Sequence, residues 1–395
     1  LEWVRGALPN AVAVWPVHNT TEALYALASE ARAQNPATVV AVTGSVGKTT
    51  TASVFGQVLS RQKQVYVDER NRNLLAMTAA CMLECADTDD IAIYEVAAMP
   101  NGMVRASQLL RPNVVVFTGT GLTHLEYMHA QLIVADVKSQ LFFSLGASGT
   151  AVINHDDRYF HRIQEAAVEF GVGHIVTYGE HPAASVRLLD YEVHAQGTRV
   201  SARVFGTPVN FEINQQGKHW ALVALSLIAA APALKVDPLS LLPAFAQLRT
   251  ASRRGERHEA VVNGKNLVLI NDAFNANPTS MANAVTTMCE MPLQVGGRRV
   301  LVLGDMLALG EAAESHHKEL ASLINTSAID TVICCGESMA ALHQNLSPHK
   351  QGGHFASRDA MEVTLPENLQ HNDMVLVKGS RGMVMEKTVQ SLLGK

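Results

Sequence analysis

Three observations predict an α/β chain built from two mostly parallel sheets. Short apolar, β-branched runs alternate with helix-compatible stretches from Pro36 to about Gly179, the pattern of a sheet covered on both faces. The alternation gives way to period-two strands and two helical segments, then resumes after the basic stretch Arg253-Arg254-Gly255-Glu256-Arg257. At its first apolar run, Val39-Val40-Ala41-Val42-Thr43 breaks into Gly44-Ser45-Val46-Gly47-Lys48-Thr49-Thr50, a strand, a turn and a helix start. A chain of 395 residues is long enough for more than one core, and the pattern divides it into 1–36, 37–250 and 251–395.

The elements follow in order. Asn19-Thr20-Thr21-Glu22, after the short apolar run Ala11–Trp15, reads as a cap opening a helix that ends near Gln34. The segment 1–36 is too short for a domain and is expected to be an N-terminal remnant or linker. Strands are expected at Thr38–Val42, Val65–Val67, Ile91–Val96, Asn113–Thr118, Ala151–Asn154 and His174–Tyr178, and helices at Thr50–Leu59, Leu74–Glu84 and Gln131–Leu145. Val and Phe at alternate positions across Ala184–Ile213 predict a small antiparallel patch, followed by helices at Trp220–Ala231 and Pro238–Leu248. The second series places strands at Leu267–Asn271, Val300–Leu303, Thr331–Cys334 and Met374–Val377, and helices at Ser280–Cys289, His316–Asn325 and Val384–Leu393.

The turn at Gly44–Thr50 reads as a phosphate cradle, with a merely structural strand-turn-helix as the plain alternative. Its glycines let backbone N–H groups approach phosphate oxygens, the following helix offers its positive N-terminal end, and Lys48 adds a mobile charge. Thr49 stands where a hydroxyl can hold Mg²⁺, although Val42 and Thr43 before Gly44 break the eight-residue G-x-x-x-x-G-K-[ST] spacing. Ligands of open α/β sheets bind at the carboxyl ends of strands, which makes Glu95 a candidate Mg²⁺ ligand. A carboxylate capping a neighbouring loop is the plain alternative. His124, in Thr123-His124-Leu125-Glu126 after the strand 113–118, is either a solvated loop histidine or a second ligand. Lys138 reads from spacing alone as a solvated helix lysine. In the second series, Asn271-Asp272-Ala273-Phe274-Asn275-Ala276-Asn277-Pro278, Gly304-Asp305 and Lys378-Gly379-Ser380-Arg381 each end a strand, as turn chemistry or as a second ligand-facing edge.

Composition excludes several classes. A net charge of -5 with 17% charged residues leaves no basic footprint for nucleic acid or anionic lipid, so small molecules are the expected partners. Five cysteines without C-x-x-C spacing indicate neither a disulfide framework nor a zinc site, and fit a cytoplasmic location. No apolar run near twenty residues predicts a membrane span. The chain starts at Leu1 rather than methionine, so an upstream piece, fused or separate, is expected.

The ordered set Thr43 to Thr50, His124-Leu125-Glu126, Asn271 to Met281, Val302 to Gly310 and Leu376 to Glu386 resembles the Mur ligase family from about Asn19 onward. The resemblance implies a central P-loop ATPase domain and a C-terminal Rossmann-like α/β domain. It implies ATP- and Mg²⁺-dependent joining of a small carboxylic acid to an amine, an amino acid or dipeptide, through an acyl phosphate. In that scheme Gly44, Ser45, Val46, Gly47, Lys48, Thr49 and Thr50 hold the phosphates. Thr49, Glu95, His124 and Lys138 serve the metal, Lys138 as a carbamate. Arg254 reaches the phosphates, Asp272 lies on the ribose side, and Asn275, Asn277, Lys378 and Arg381 face nucleotide and amine. The chain departs from the family at Gly217-Lys218-His219-Trp220 and Val223, where two asparagines near the adenine are expected, and at Phe274, where tyrosine is usual. The stretch before Val39 is too short for the domain that holds a UDP group. The acid is therefore expected to be smaller, or presented by another domain or protein. The true cell-wall enzyme of the family lacking its first domain, and a non-catalytic nucleotide-binding relative, are the rivals.

Overall fold

The computed structural model describes residues 15–68, 70, 72–99, 102–121, 131–249 and 253–394. His124 and most of the run Ala11–Trp15 lie outside the described residues. Asn19 caps α1 (Thr20–Gln34) through its Oδ1, which accepts from Thr21 N and Glu22 N. The chain then runs β1 (Thr38–Thr43), α2 (Lys48–Leu59), β2 (Val65–Val67), α3 (Leu75–Met82), β3 (Ile91–Glu95), α4 (Met103–Leu110), β4 (Val114–Phe117), α5 (Gln131–Ser139), β5 (Thr150–Asn154), α6 (Phe160–Glu169) and β6 (His174–Gly179). Three antiparallel strands follow, β7 (Val186–His194), β8 (Gly197–Val204) and β9 (Thr207–Ile213), and then α7 (Lys218–Ala230).

These strands form one nine-stranded sheet, ordered β2-β3-β1-β4-β5-β6-β7-β8-β9. The expected antiparallel patch is continuous with the parallel part, because Tyr178 and Gly179 of β6 pair with Val186 and Arg187 of β7. The strand β1 runs between β3 and β4, the point where chain order reverses and where α/β sheets open a crevice. Alternate residues supply two cores. Val40, Val42, Ile91, Ile93, Val114 and Val116 pack under α2 and α7, while Val39, Ala41, Ala92, Tyr94, Val115 and Phe117 pack under α1, α4 and α6. The helix α1 is thus docked on the sheet. Its Ala28 is fully buried, and the Arg32 guanidinium donates to the carbonyls of Leu110 and Arg111.

The second sheet contains β10 (Glu256–Val262), β11 (Lys265–Asn271), β12 (Arg299–Gly304), β13 (Thr331–Cys335), β14 (Gln351–Phe355) and β15 (Met374–Lys378), ordered β10-β11-β15-β12-β13-β14. Only the β10–β11 pair is antiparallel. The helices α8 (Pro278–Glu290), α9 (Ala313–Thr326) and α10 (Met339–Asn345) cover one face, and α11 (Arg358–Asn368) and α12 (Glu386–Leu392) the other. Pro238–Gln247, expected as an α-helix, is a 3-10 segment with Pro243 inside it. No helix among the described residues is long and apolar enough to cross a membrane.

Candidate active site at the cleft between the sheets

The carboxyl end of β1 faces the carboxyl ends of β11 and β15 across a cleft of about 980 Å³. Gly44 leaves β1 at φ +151°, and a Cβ there would lie 1.9 Å from Thr118 Oγ1. Only glycine lets the turn pass so close to the end of β4. Thr118 Oγ1 donates to the carbonyl of Val46 at 2.6 Å, and Ser45 N donates to the Gly119 carbonyl at 2.8 Å, so the turn is stapled to β4. Gly47, at φ +80°, then admits α2, whose first turn carries Lys48, Thr49 and Thr50 into the cleft wall.

Around this turn the structure gathers most of the residues singled out from the sequence. Thr49 Oγ1 donates to Glu95 Oε2 at 2.6 Å and accepts from Arg254 Nη2 at 2.9 Å. Glu95 Oε1 accepts from Asn73 Nδ2 at 2.8 Å. Lys48 Nζ and Lys138 Nζ both donate to the Gly44 carbonyl, at 3.0 and 2.8 Å. Lys138 is no surface lysine: it is 1% exposed. Burial, with the charge of Lys48 added, holds its pKa well below the usual lysine range. Burial also lowers Lys48, with Glu95 opposing and Arg254 assisting.

From the second sheet, Lys378 is buried and donates to Asp272 Oδ2 at 2.6 Å and to the Asn275 carbonyl at 3.0 Å, fixing the turn after β11. Arg254 lies with its guanidinium carbon 3.8 Å from the Phe274 ring centroid, and burial lowers its pKa. Asn277 lines the cleft, but its Oδ1 is committed to capping α8 by accepting from Ser280 N at 2.9 Å. Asn275 Oδ1 accepts from Arg381 N at 3.4 Å. Arg381 itself is exposed at the rim, its guanidinium 5.9 Å from Phe274. Trp220 and Val223, the departures on α7, line the cleft opposite Asn283 and Thr287 of α8. His219, in the same wall, is held neutral by enclosure, its pKa lowered to about 4.

The residues present fit a magnesium nucleotide. Ser45 Oγ is buried without a hydrogen-bond partner among the described residues, the turn after Gly44 is closed to any larger residue, and a hydroxyl and a carboxylate stand together at Thr49 and Glu95. Mg²⁺ takes few protein oxygens and completes its shell with phosphate and water. Sequence reading missed Thr118 and Phe274 as site builders. The strand end at Phe117 signals the first, while the second depends on how the sheets face each other.

Residues 42–231 match the Mur ligase middle domain and residues 253–381 the Mur ligase glutamate ligase domain. The chain belongs to the Mur ligase family of ATP- and Mg²⁺-dependent, ADP-forming ligases. Among the similar proteins are the UDP-N-acetylmuramoyl-tripeptide–D-alanyl-D-alanine ligases of Bacillus subtilis and Escherichia coli. The first is 28% identical over 98% of this chain and 82% of its own length. The second is 29% identical over 95% and 81%. The crystal structure of MurF from Acinetobacter baumannii superposes with a TM-score of 0.87 at 25% identity, covering 98% of this chain and 84% of that one.

Proposed function

We propose that this chain joins a UDP-linked muramoyl-tripeptide carboxylate to the amino group of D-alanyl-D-alanine. Support comes from the similarity to the two ligases named above and from one observation: Lys48, Thr49, Glu95, Lys138 and Arg254, drawn from both halves, meet at a single cleft. In this reading a carboxylate oxygen of the acid attacks the γ-phosphorus of ATP and ADP leaves. The amine then attacks the acyl carbon, phosphate departs, and the amine loses a proton. Phosphoryl transfer depends mainly on positioning and charge neutralisation. The Gly44–Thr49 amides and Lys48 hold the β- and γ-phosphates, and Arg254 meets the transferring group from the opposite wall. Mg²⁺, held through Thr49 and Glu95, would supply further positive charge there. Lys138, buried against the Gly44 carbonyl with its pKa held well below the usual lysine range, is suited to take up carbon dioxide as a carbamate, whose carboxylate would serve the metal. Closure of the two halves keeps water from the acyl phosphate. Because ATP and a UDP-linked acid meet here, the working compartment would be the cytoplasm.

The test is phosphate release by the purified chain with ATP, Mg²⁺, UDP-muramoyl-tripeptide and D-alanyl-D-alanine, each omitted in turn. Release that needs all four, together with the ligated product by mass spectrometry, supports the reading. ATP affinity without turnover on this acid points to a smaller or separately presented acid. Hydrolysis without either acceptor makes the protein a plain ATPase.

A further inference from the structure

The ring of Phe274 has a place in the site that its chemistry does not announce. Arg254 must carry a full positive charge in a cleft where burial disfavours it, and must keep its N–H groups aimed at oxygen. The guanidinium carbon lies 3.8 Å from the Phe274 centroid, while Nη2 donates to Thr49 Oγ1 at 2.9 Å across the cleft. A ring on the face of a guanidinium stabilises the cation through its quadrupole and leaves the in-plane N–H groups for oxygen acceptors. The backbone fixes the two partners to each other. Phe274 N donates to the Arg253 carbonyl at 3.1 Å, and Gly255 N donates to the Asn271 carbonyl at 2.9 Å, so residues on both sides of Arg254 are tied to the turn bearing the ring. That turn is itself braced by Lys378 through Asp272 Oδ2 and the Asn275 carbonyl. A phenyl ring has no polar atom, so its side chain acts on Arg254 through its face alone.

We propose that Phe274 is a positioning residue for phosphoryl transfer: its ring sets the plane of the Arg254 guanidinium so that the in-plane N–H groups meet the γ-phosphate beside Thr49. The ring is carried by the second sheet, so the arginine reaches the phosphate turn already oriented when the two halves are together. This rests on the ligase reading above for its chemistry, but only on nucleotide binding for its test.

The experiment uses the purified chain, Phe274→Leu, Phe274→Tyr, Arg254→Ala and the double variant Phe274→Leu with Arg254→Ala. Calorimetry with Mg²⁺ and either ADP or the non-hydrolysable analogue AMP-PNP gives affinities, and phosphate release gives kcat and KM. Phe274→Leu should lower kcat and AMP-PNP affinity by about tenfold, the range expected of a desolvated cation over a ring, with ADP affinity and the KM values for acid and amine little changed. Phe274→Tyr, which keeps the ring, should restore both. In the Arg254→Ala background, Phe274→Leu should cost nothing further. An equal loss in that background, a loss in Phe274→Tyr matching that in Phe274→Leu, or equal effects on ADP and AMP-PNP would overturn the proposal. If the wild-type chain binds AMP-PNP yet does not turn over UDP-muramoyl-tripeptide with D-alanyl-D-alanine, the proposed substrate pair falls, and the coupling between Phe274 and Arg254 still stands or falls on the affinities.

Discussion

Lys48 and Lys138 share one acceptor, the Gly44 carbonyl. In the proposed reaction, removing Lys48 would take away a positive charge beside the transferring phosphate. Lys48→Ala should therefore lose at least about 3 kcal/mol of transition-state stabilisation, a fall of two orders of magnitude or more in kcat measured by phosphate release. Full activity in that variant would sink the assignment of the cradle. Lys138→Ala tests the carbamate. Most activity should vanish and part should return with added acetate, since a small carboxylate can enter the space the side chain leaves. A variant at wild-type rates would mean that Lys138 serves packing only. Gly44 gives a third case, because a methyl group there meets Thr118 Oγ1 at 1.9 Å. Gly44→Ala should weaken ATP binding and lower the melting temperature together, as the turn is pushed off β4.

At the scale of elements, the loop between β2 and α3 shows how a charge network places one amide. Arg72 donates to Asp68 Oδ1 at 2.9 Å and to Glu84 Oε1 at 2.7 Å, and Arg70 reaches the same two carboxylates, which pins the stretch leading to Asn73 and its hydrogen bond to Glu95. Burial pushes the Asp68 carboxyl up, but hydrogen bonds from Arg72 and Arg70 outweigh it and bring the value down to about 2. A depressed carboxyl binds protons less readily folded than unfolded. Its stabilisation is complete above the ordinary value of 3.8 and is lost as pH falls toward about 2. Denaturant unfolding of wild type and Arg72→Ala should thus differ most above pH 4 and converge toward pH 2. A gap that stays constant across this range would exclude the linkage. The same scale shows what the sequence disclosed. The inner strands were legible because β1, β4 and β12 are unbroken apolar runs buried on both faces. The edge strands of the second sheet were not. In β14, Gln351-Gly352-Gly353-His354-Phe355 has no apolar run to betray it, and β10 begins inside the basic stretch Arg253–Arg257, whose charges mask the strand. Among site residues, Lys48, Thr49 and Glu95 follow from strand ends, whereas the burial of Lys138 and the meeting of Arg254 with Phe274 depend on tertiary placement that no local pattern encodes.

At the scale of the whole molecule, the two sheets touch on both sides of the cleft. Arg254 reaches Thr49 on one side. On the other, Tyr191 Oη of β7 donates to Glu290 Oε1 of α8 at 2.6 Å, and Gly217 lies so near α8 that a Cβ would come 2.7 Å from Thr287 Cγ2. Glu290 Oε2 is buried with no hydrogen-bond partner among the described residues, so Tyr191 carries much of the compensation for that carboxylate. Tyr191→Phe should destabilise the protein by about 1 to 3 kcal/mol, read by chemical denaturation, and should weaken the closed arrangement more than either half. An unchanged midpoint would show that water replaces the hydroxyl at no cost. The close wall at Gly217 and Thr287 also bears on timing. If this wall has to part before the spent ADP can leave, product exit is a step separate from bond formation. The first turnover should therefore run ahead of those that follow, a burst of phosphate before a slower steady rate that falls as the solvent is made more viscous. The pace of this enzyme would then be set by an exit, not by the bond it makes.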